Sequence, residues 1–555
     1  MINQYIINQL YKKIPLKRRD EYFLKLKRKA SKRFGLPNPT NVEILKTYRK
    51  MVKNKKVKPN KNIENLLITK NIRTLSGVAV IAVLTKPYTC PGSCVYCPTE
   101  KDMPKSYLSN EPAVMRAILT DFHPYRQVKA RLKSLEATGH KTDKIELIVM
   151  GGTFSYFPKQ YQTWFIKECF RACNAYSVRA DRDLSLLQKL NEKSKHRIIG
   201  LTLETRPDYI DAKEIIRMRK LGATRVEIGV QSIYNDVLKL NKRGHSVATT
   251  IKATKLLKEA GFKINYHMMP NLPGSSCKRD LIMFKELFSN PDFQPDMLKI
   301  YPCVVVKDSP IYKWWKNGKH KPYSDKKLLE LLAEIKKIIP YYVRITRLIR
   351  DIPSTSIVAG NKISNLRQAL KKKSEEENWQ CKCIRCREVR NKNPLIFKKL
   401  RNKNPLLLKE GQGVVENLKL FRQDYNASDG KEIFLSFEDK ERKNLYSLLR
   451  LRINSGVLSL ERKSIISNSA YRLKPELQAI IREIHTYGQM MPIKYKSKKS
   501  PQHIGLGKKL ILEAEKITRE EFGLKKIAVI SGIGVRDYYR KLGYELENEY
   551  MVKNL

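Results

Sequence analysis

The sequence predicts an α/β protein: a partial (β/α)6 barrel, fused to a smaller mixed α/β domain and preceded by a basic helical extension. Three observations carry this reading. Between residues 78 and 306 apolar runs alternate six times with amphipathic stretches, which indicates βα units around a parallel sheet. From 414 to 555 short apolar runs surround one amphipathic helix at 505–521. The first 70 residues hold 20 Lys and Arg against 4 Asp and Glu.

In the extension, apolar residues recur at helical spacing (Tyr22, Leu24, Leu26, then Val42, Ile44, Leu45), and Pro37-Asn-Pro39 breaks the pattern. Short basic helices around a loop are expected, able to grip a polyanion through its phosphates. The barrel strands are expected at Val78–Leu84, Ile145–Met150, Ile198–Leu203, Val226–Gln231, Ile264–Met269 and Leu298–Val306, with helices at 111–137, 158–173, 211–221, 247–260 and 278–289. Six units fall short of a closed eight-unit barrel, so the barrel is expected to be open. Residues 366–412 form a basic linker with the near repeat Arg390-Asn-Lys-Asn-Pro-Leu395 and Arg401-Asn-Lys-Asn-Pro-Leu406. In the last domain, strands are expected near 415–424, 431–437, 445–453, 479–487 and 526–531. The division is therefore 1–70, 71–365, 366–412 and 413–555.

The chain carries 111 Lys and Arg against 54 Asp and Glu, a formal charge of +57. Self-repulsion of that size does not help a fold, and the Lys excess lacks the matching Glu of a thermal adaptation. Nucleic acid is the expected partner. Ten cysteines point to metal or redox chemistry. With no signal peptide and no apolar run of membrane length, the protein is expected to be cytoplasmic.

Cys90-Pro-Gly-Ser-Cys94-Val-Tyr-Cys97 follows the first strand. Three thiolates at this spacing hold three corners of a [4Fe–4S] cluster and leave one iron open; structural zinc generally wants a fourth ligand, and none lies nearby. The run resembles the radical S-adenosylmethionine (SAM) superfamily, in which the open iron binds SAM. Gly151-Gly152 resembles that family's contact to the SAM amino group. Glu204, Gln231 and His267, at or near the ends of later strands, are further candidates for the same site, although His267 alone is as easily a hydrogen-bonded core residue.

In the last domain Gly505-Leu506-Gly507 opens a helix, whose N-terminus offers free N–H groups to a pyrophosphate. The order of strand, turn, helix, strand and Tyr538-Tyr539 resembles the GNAT acyltransferases. That resemblance places Glu483, Ile484 and His485 along pantetheine, Gly505, Leu506 and Gly507 at the pyrophosphate, and Tyr538 or Tyr539 at the thioester, with simple packing the role of at least one tyrosine.

The phrases Cys94-Val-Tyr-Cys97-Pro, Val149-Met-Gly-Gly-Thr-Phe154, Glu204-Thr-Arg-Pro-Asp-Tyr209, Glu227-Ile-Gly-Val-Gln-Ser232, Ala528-Val-Ile-Ser-Gly532 and Met551-Val-Lys together resemble the Elongator catalytic-subunit family from about residue 70 onward. The resemblance implies formation of 5-carboxymethyluridine at the tRNA wobble position from acetyl-CoA and a SAM-derived radical. It implies binding of the anticodon stem-loop, an electron donor for the cluster, and action without other Elongator subunits. It assigns Lys144, otherwise a solvated residue before a strand, to acetyl-CoA, so the two halves are expected to share a cleft. Trp379-Gln-Cys381-Lys-Cys383-Ile-Arg-Cys386 can hold Zn2+ or stand as reduced surface thiols. The competing function is a protein lysine acetyltransferase with a structural cluster.

Overall fold

The computed structural model describes residues 1–15, 18–69, 74, 76–174, 183–389, 418–454, 478–488 and 505–555. The tandem repeat, the linker beyond 389 and Gln502–Ile504 lie outside the described residues.

The extension forms four helices, Ile2–Lys12, Arg19–Phe34, Asn41–Lys53 and Lys61–Leu67. They enclose a small core of their own around Ile6, Leu10, Phe23, Ile44 and Tyr48. Gly35, at φ 63°, ends the second helix. After the Pro37–Pro39 break, Thr40 and Glu43 form a reciprocal cap on the third. The unit rests on the barrel: Arg49 donates to the Glu136 carbonyl at 2.8 Å, and Gly139 lies against Leu45 and Ile68.

The barrel sheet is parallel throughout and contains β1 (Ala79–Leu84), β2 (Lys144–Met150), β3 (Arg197–Thr205), β4 (Arg225–Gln231), β5 (Lys263–Met268) and β6 (Met297–Ile300) in that order. Three expectations are corrected. The run 298–306 is not one strand: Pro302 removes a ladder donor, and β7 (Val305–Val306) leaves to pair with β9 (Ile357–Ala359). The sheet has a seventh strand, β8 (Arg344–Arg347), beside β6. The stretch 111–137 is two helices, Pro112–Ile118 and Pro124–Ala137, divided before Pro124, whose ring fits a first helical turn and not a helix interior.

Alternation along the strands sorts the side chains. On β2, Ile145, Leu147 and Val149 are fully buried under the surrounding helices, whereas Lys144, Glu146, Ile148 and Met150 face the partly open interior. That interior is polar: it receives Glu204, Arg225, Glu227, Asn265, His267 and Lys299 from later strands.

The last domain is a seven-stranded sheet with a helix, Leu506–Glu520, packed on one face. Its strands are β10 (Lys419–Ala427), β11 (Gly430–Glu438), β12 (Leu445–Ile453), β13 (Ala479–Thr486), β14 (Lys526–Val529), β15 (Glu545–Glu547) and β16 (Tyr550–Asn554). The first four form an antiparallel meander. β13 and β14 then pair in parallel at Ile480↔Ala528 and Ile481↔Val529 and part beyond that point, leaving a wedge beside Glu483–Thr486.

This domain seats itself at the N-terminal ends of the barrel strands. His485 Nε2 lies 2.8 Å from the Ser76 carbonyl before β1, and Gly532 and Gly534 press on Ile199 and Arg197 of β3. Arg482 donates to the Phe262 carbonyl before β5 and to Asp296 before β6. Among the described residues no helix is long and apolar enough to cross a membrane.

Candidate functional site

The parallel strands deliver their following loops to one rim, where such barrels place their chemistry. One cavity there is lined by Cys90, Cys94 and Cys97, and also by Gly152, Glu204, Gln231 and His267. Gly151 stands just behind: its φ of 130° and a collision between an added Cβ and Thr85 leave room for glycine alone. Gly152 has φ 92° and turns its backbone toward the cavity. Gln231 holds φ 71° at the irregular end of β4, a conformation that a non-glycine residue keeps only under constraint.

The cysteine loop is fixed from outside. The Asn241 carbonyl accepts from Val95 N at 3.2 Å, and the Val95 carbonyl accepts from Ile311 N at 2.8 Å. Arg243 reaches in from the loop after β4 and lies 3.5 Å from Cys94 Sγ while clamping the Gly229 carbonyl. Burial raises the cost of a thiolate at Cys94, yet the charge and hydrogen bond of Arg243, with Tyr96 and Arg206, together outweigh it and hold that thiol below its ordinary value. Burial, helped by Cys94, pushes Cys97 up to about 11. A buried Arg206 Nη1 has no hydrogen-bond partner beside this loop, and an added Cβ on Gly92 would collide with it. Three thiols from one short loop and two buried guanidinium groups suit an anionic three-thiolate cluster better than a neutral core.

The opposite wall is an ionic chain. Lys299 contacts Glu227 and lies 3.1 Å from Glu204, His267 Nε2 is 2.9 Å from Glu227, and Tyr107 donates to Glu204 at 3.1 Å. Burial and the Lys299 charge lower His267, so its imidazole is neutral at pH 7. Despite burial, Lys299 and His267 keep Glu227 well below the usual carboxylate range. Glu204, Glu227 and His267 have ligand atoms within 4.8 Å of one another, but the Lys299 ammonium already bridges the two carboxylates and opposes a cation there. Sequence reasoning missed Lys299 and Arg243. Lys299 left one signal, a lone charge inside the apolar run Met297-Leu-Lys-Ile300.

The acetyl-CoA candidates gather elsewhere. Gly505, at φ 80°, starts the helix Leu506–Glu520 without a side-chain cap, leaving its first N–H groups to whatever lies before it. An added Cβ on Gly507 would stand 3.5 Å from Ile484, 3.6 Å from Thr486 Oγ1 and 3.6 Å from the Tyr538 hydroxyl, so these groups converge on the turn at the β13–β14 wedge. Leu506 is buried beneath it. Tyr538 is 42% exposed, whereas Tyr539 is buried against Tyr544 in the domain core. The Glu483 and His485 side chains turn away from the turn and toward the barrel: Glu483 pairs with Lys263 and Arg450, and His485 stacks on Tyr487.

Lys144 begins β2 at this same end, in register with Arg197, on which Gly534 presses. Burial lowers its pKa. Lys144 and Met150 begin and end one face of one strand, and Met150 lines the cysteine cavity. Six steps along a strand separate them by roughly 20 Å. The two sites sit at opposite ends of the barrel interior because the second domain docks on strand entrances and not on strand exits.

Cys381, Cys383 and Cys386 form a third cluster, with sulfurs within 4.8 Å of one another and Lys336 Nζ 3.5 Å from Cys386. Three converging thiols can supply three of the four ligands that structural zinc takes.

Residues 85–279 match the radical SAM superfamily, and residues 295–376 match its C-terminal domain. The chain is 48% identical over 533 residues to a tRNA uridine(34) acetyltransferase of Methanocaldococcus infernus, covering 94% of this chain and 93% of that one. It is 39% identical over 551 residues to Elongator complex protein 3 of Danio rerio, covering 96% and 92%. A solved structure of the archaeal Methanocaldococcus infernus Elp3 with an N-terminal deletion matches with a TM-score of 0.70 at 45% identity, covering 87% of this chain and all of that one.

Proposed function

The chain belongs to the family of tRNA uridine(34) acetyltransferases and Elongator complex protein 3, and on that premise we propose that it is a radical SAM acyltransferase that forms 5-carboxymethyluridine at the wobble position of tRNA. The observation that carries this reading is the rim cavity, in which three cysteines face Gly152, Glu204, Gln231 and His267 across a buried ionic wall.

Cys90, Cys94 and Cys97 hold the cluster, which with SAM supplies a 5′-deoxyadenosyl radical for hydrogen abstraction from the acetyl group. The residues around it set the stage. Arg243 and Arg206 favour thiolate over thiol at Cys94. Gly151 and Gly152 bring backbone close to the SAM amino group. Lys299 holds Glu204 and Glu227 pointed inward and keeps Glu227 ionised, and neutral His267 stays a hydrogen-bonding group.

At the other end the Gly505–Gly507 turn takes the pyrophosphate of acetyl-CoA, Ile484 borders the pantetheine arm, and the Tyr538 hydroxyl reaches the thioester carbonyl. Glu483 and His485 contribute through their backbone, since their side chains serve the docking. Tyr539 supports Tyr538 by packing. Lys144 meets the acyl end from the barrel side, and the face from Lys144 to Met150 gives that end a route toward the cluster. Cys381, Cys383 and Cys386 hold zinc and tie the end of the barrel to the second domain. The enzyme works in the cytoplasm, as a single chain with an external electron donor, and the anticodon stem-loop is held by the basic extension. The ionic wall and the thiolate-favouring loop argue against a lysine acetyltransferase whose cluster is only structural.

Mass spectrometry of tRNA nucleosides after anaerobic reconstitution with SAM and acetyl-CoA tests the reading. Carboxymethylated uridine is expected; acetylated lysine with unmodified tRNA overturns it.

A further inference from the structure

The rim that carries the cysteines also carries a continuous ladder of aromatic rings that the chemistry above does not use. Tyr209 meets Tyr156 edge-on at 5.6 Å, and Tyr156 meets Tyr88 at 6.0 Å. Tyr88 stacks on Phe157 at 4.6 Å, Phe157 stacks on Tyr161 at 4.8 Å, and Tyr161 meets Trp164 at 5.5 Å. A ladder of this kind is ordinary inside a core, where Phe157 indeed lies. Three of its members are not inside: Tyr88 is 38% exposed, Tyr156 36% and Trp164 39%. Large aromatic rings held rigid by one another and left open on one side make a platform for flat ligands.

The position of the ladder says which ligand. Tyr88 lies two residues before Cys90, Tyr156 lies four residues after Gly152, and Tyr209 lies five after Glu204, so the strip borders the reaction cavity where β1, β2 and β3 end. Cys90 Sγ itself is 4.0 Å from Thr153, three residues from Tyr156. The exposed Lys86 sets its ammonium 5.1 Å from the Tyr161 ring centre, and Lys159 is exposed on the first turn of the adjoining helix. Exposed rings interleaved with cations, on a chain of net charge +57, fit single-stranded nucleic acid: every base offers a face to stack, and the cations follow the backbone.

We propose that Tyr88, Tyr156 and Trp164 form a stacking platform for unpaired RNA bases next to the uridine that enters the cavity. This rests on the tRNA reading above and adds to it the surface that holds the loop open. A base drawn out of its stack loses its neighbours; rings at the rim replace them.

The test compares the reconstituted full-length chain with two double variants, Tyr88→Leu/Tyr156→Leu and Tyr88→Phe/Tyr156→Phe. Affinity is measured by fluorescence anisotropy for an anticodon stem-loop oligoribonucleotide and for an RNA duplex of the same length, at several salt concentrations. The leucine pair is expected to bind the stem-loop about tenfold more weakly or worse, with an unchanged slope of log affinity on log salt, because no phosphate contact is lost. Its affinity for the duplex should stay within twofold, and the phenylalanine pair, which keeps both rings, should match the parent. If the leucine pair loses iron, Trp164→Leu, on the helix Lys159–Cys173, carries the same expectation. Stem-loop affinity within twofold of the parent, an equal loss on duplex, or a phenylalanine pair as weak as the leucine pair overturns the platform. Those outcomes leave the enzymatic reading standing, since that reading fails only if the parent makes no modified uridine.

Discussion

Asp296 is the sharpest place to test how the barrel and the second domain are held together. It is fully buried just before β6 and accepts from Arg482 at 2.6 and 3.1 Å and from the Ile264 amide at 2.9 Å, with Arg450 at 3.6 Å. Arg482 and Arg450 come from the second domain, whereas Asp296 and Ile264 belong to the barrel. Asp296→Asn keeps the volume and one acceptor but removes the charge. The buried cations Arg482, Arg450, Arg452 and Lys258 then lose one of their paired anions and keep Glu432 and Glu483. Breaking a buried pair by neutralising one partner costs about 3–5 kcal/mol, because the other charge stays behind uncompensated. That lowers the docked-to-undocked ratio by about two to four orders of magnitude. Hydrogen exchange on peptides spanning residues 260–266 and 479–486, with calorimetry alongside, reads the effect: protection should fall at both seams, and the second domain should melt as a separate, earlier transition. The Arg482 and Arg450 charges hold the Asp296 carboxyl well below its ordinary value of 3.8. Its stabilisation is therefore complete above that ordinary value and is lost only as pH falls through the lower folded value, so the contrast between parent and variant should not change between pH 5 and 8. A variant with parental melting and parental protection refutes the account.

Three further outcomes are expected. On the proposed assignment, replacing Cys90, Cys94 and Cys97 together with Ala should remove the iron and SAM cleavage and leave occupancy of the separate Cys381, Cys383 and Cys386 cluster unchanged; metal analysis that finds iron retained refutes the assignment. Lys144→Ala and Tyr538→Phe, in different domains, should each lose tRNA-dependent acetyl-CoA turnover while still binding tRNA, and parental turnover by Lys144→Ala would leave the acyl site to the second domain alone. Burial lowers Lys258 from 10.5 to about 8 against the pull of Glu432. The unfolded chain then binds more protons than the folded one between those values, so this lysine makes stability rise with pH from about 8 to 10.5. Lys258→Met should abolish that rise, which a difference in Tm between parent and variant across pH 7 to 10 measures directly.

What the sequence made legible follows from where side chains point. The five strands β1 to β5 are apolar on the helix-covered face, and their runs stand out. β8 escaped notice because Arg344 and Arg347 enclose only Ile345 and Thr346, too short an apolar run to stand out, and Arg344 serves Glu388 of the linker at 2.7 Å and the Tyr487 hydroxyl of the second domain at 3.1 Å. The cysteines, glycines and Glu204 announced themselves by spacing and by position after strands. Lys299 and Arg243 did not, because a buried cation declares its role only when its carboxylate or thiol partner, distant in sequence, is brought beside it. The seating of the second domain was illegible for the same reason. Asp296 and Arg482 are 186 residues apart, and no local pattern links them, so the docking of the second domain on the strand entrances could not be read from the sequence.

The seam between the domains reads backbone as much as side chains. Arg482 binds the Phe262 carbonyl, Arg450 the Tyr342 carbonyl, Asn454 the Glu259 carbonyl, Tyr550 the Ala260 carbonyl and His485 the Ser76 carbonyl. A carbonyl group is present whatever residue carries it. The barrel loops that lead into its strands are thus free to change their side chains over evolutionary time without loosening the partner domain. Insertion or loss of a single residue there is another matter: it would shift every carbonyl by one step and leave buried guanidinium groups without acceptors. Length, not composition, is what selection should guard in these loops, and a chimera that borrows the second domain from a relative should succeed when the loop lengths agree and fail when they do not.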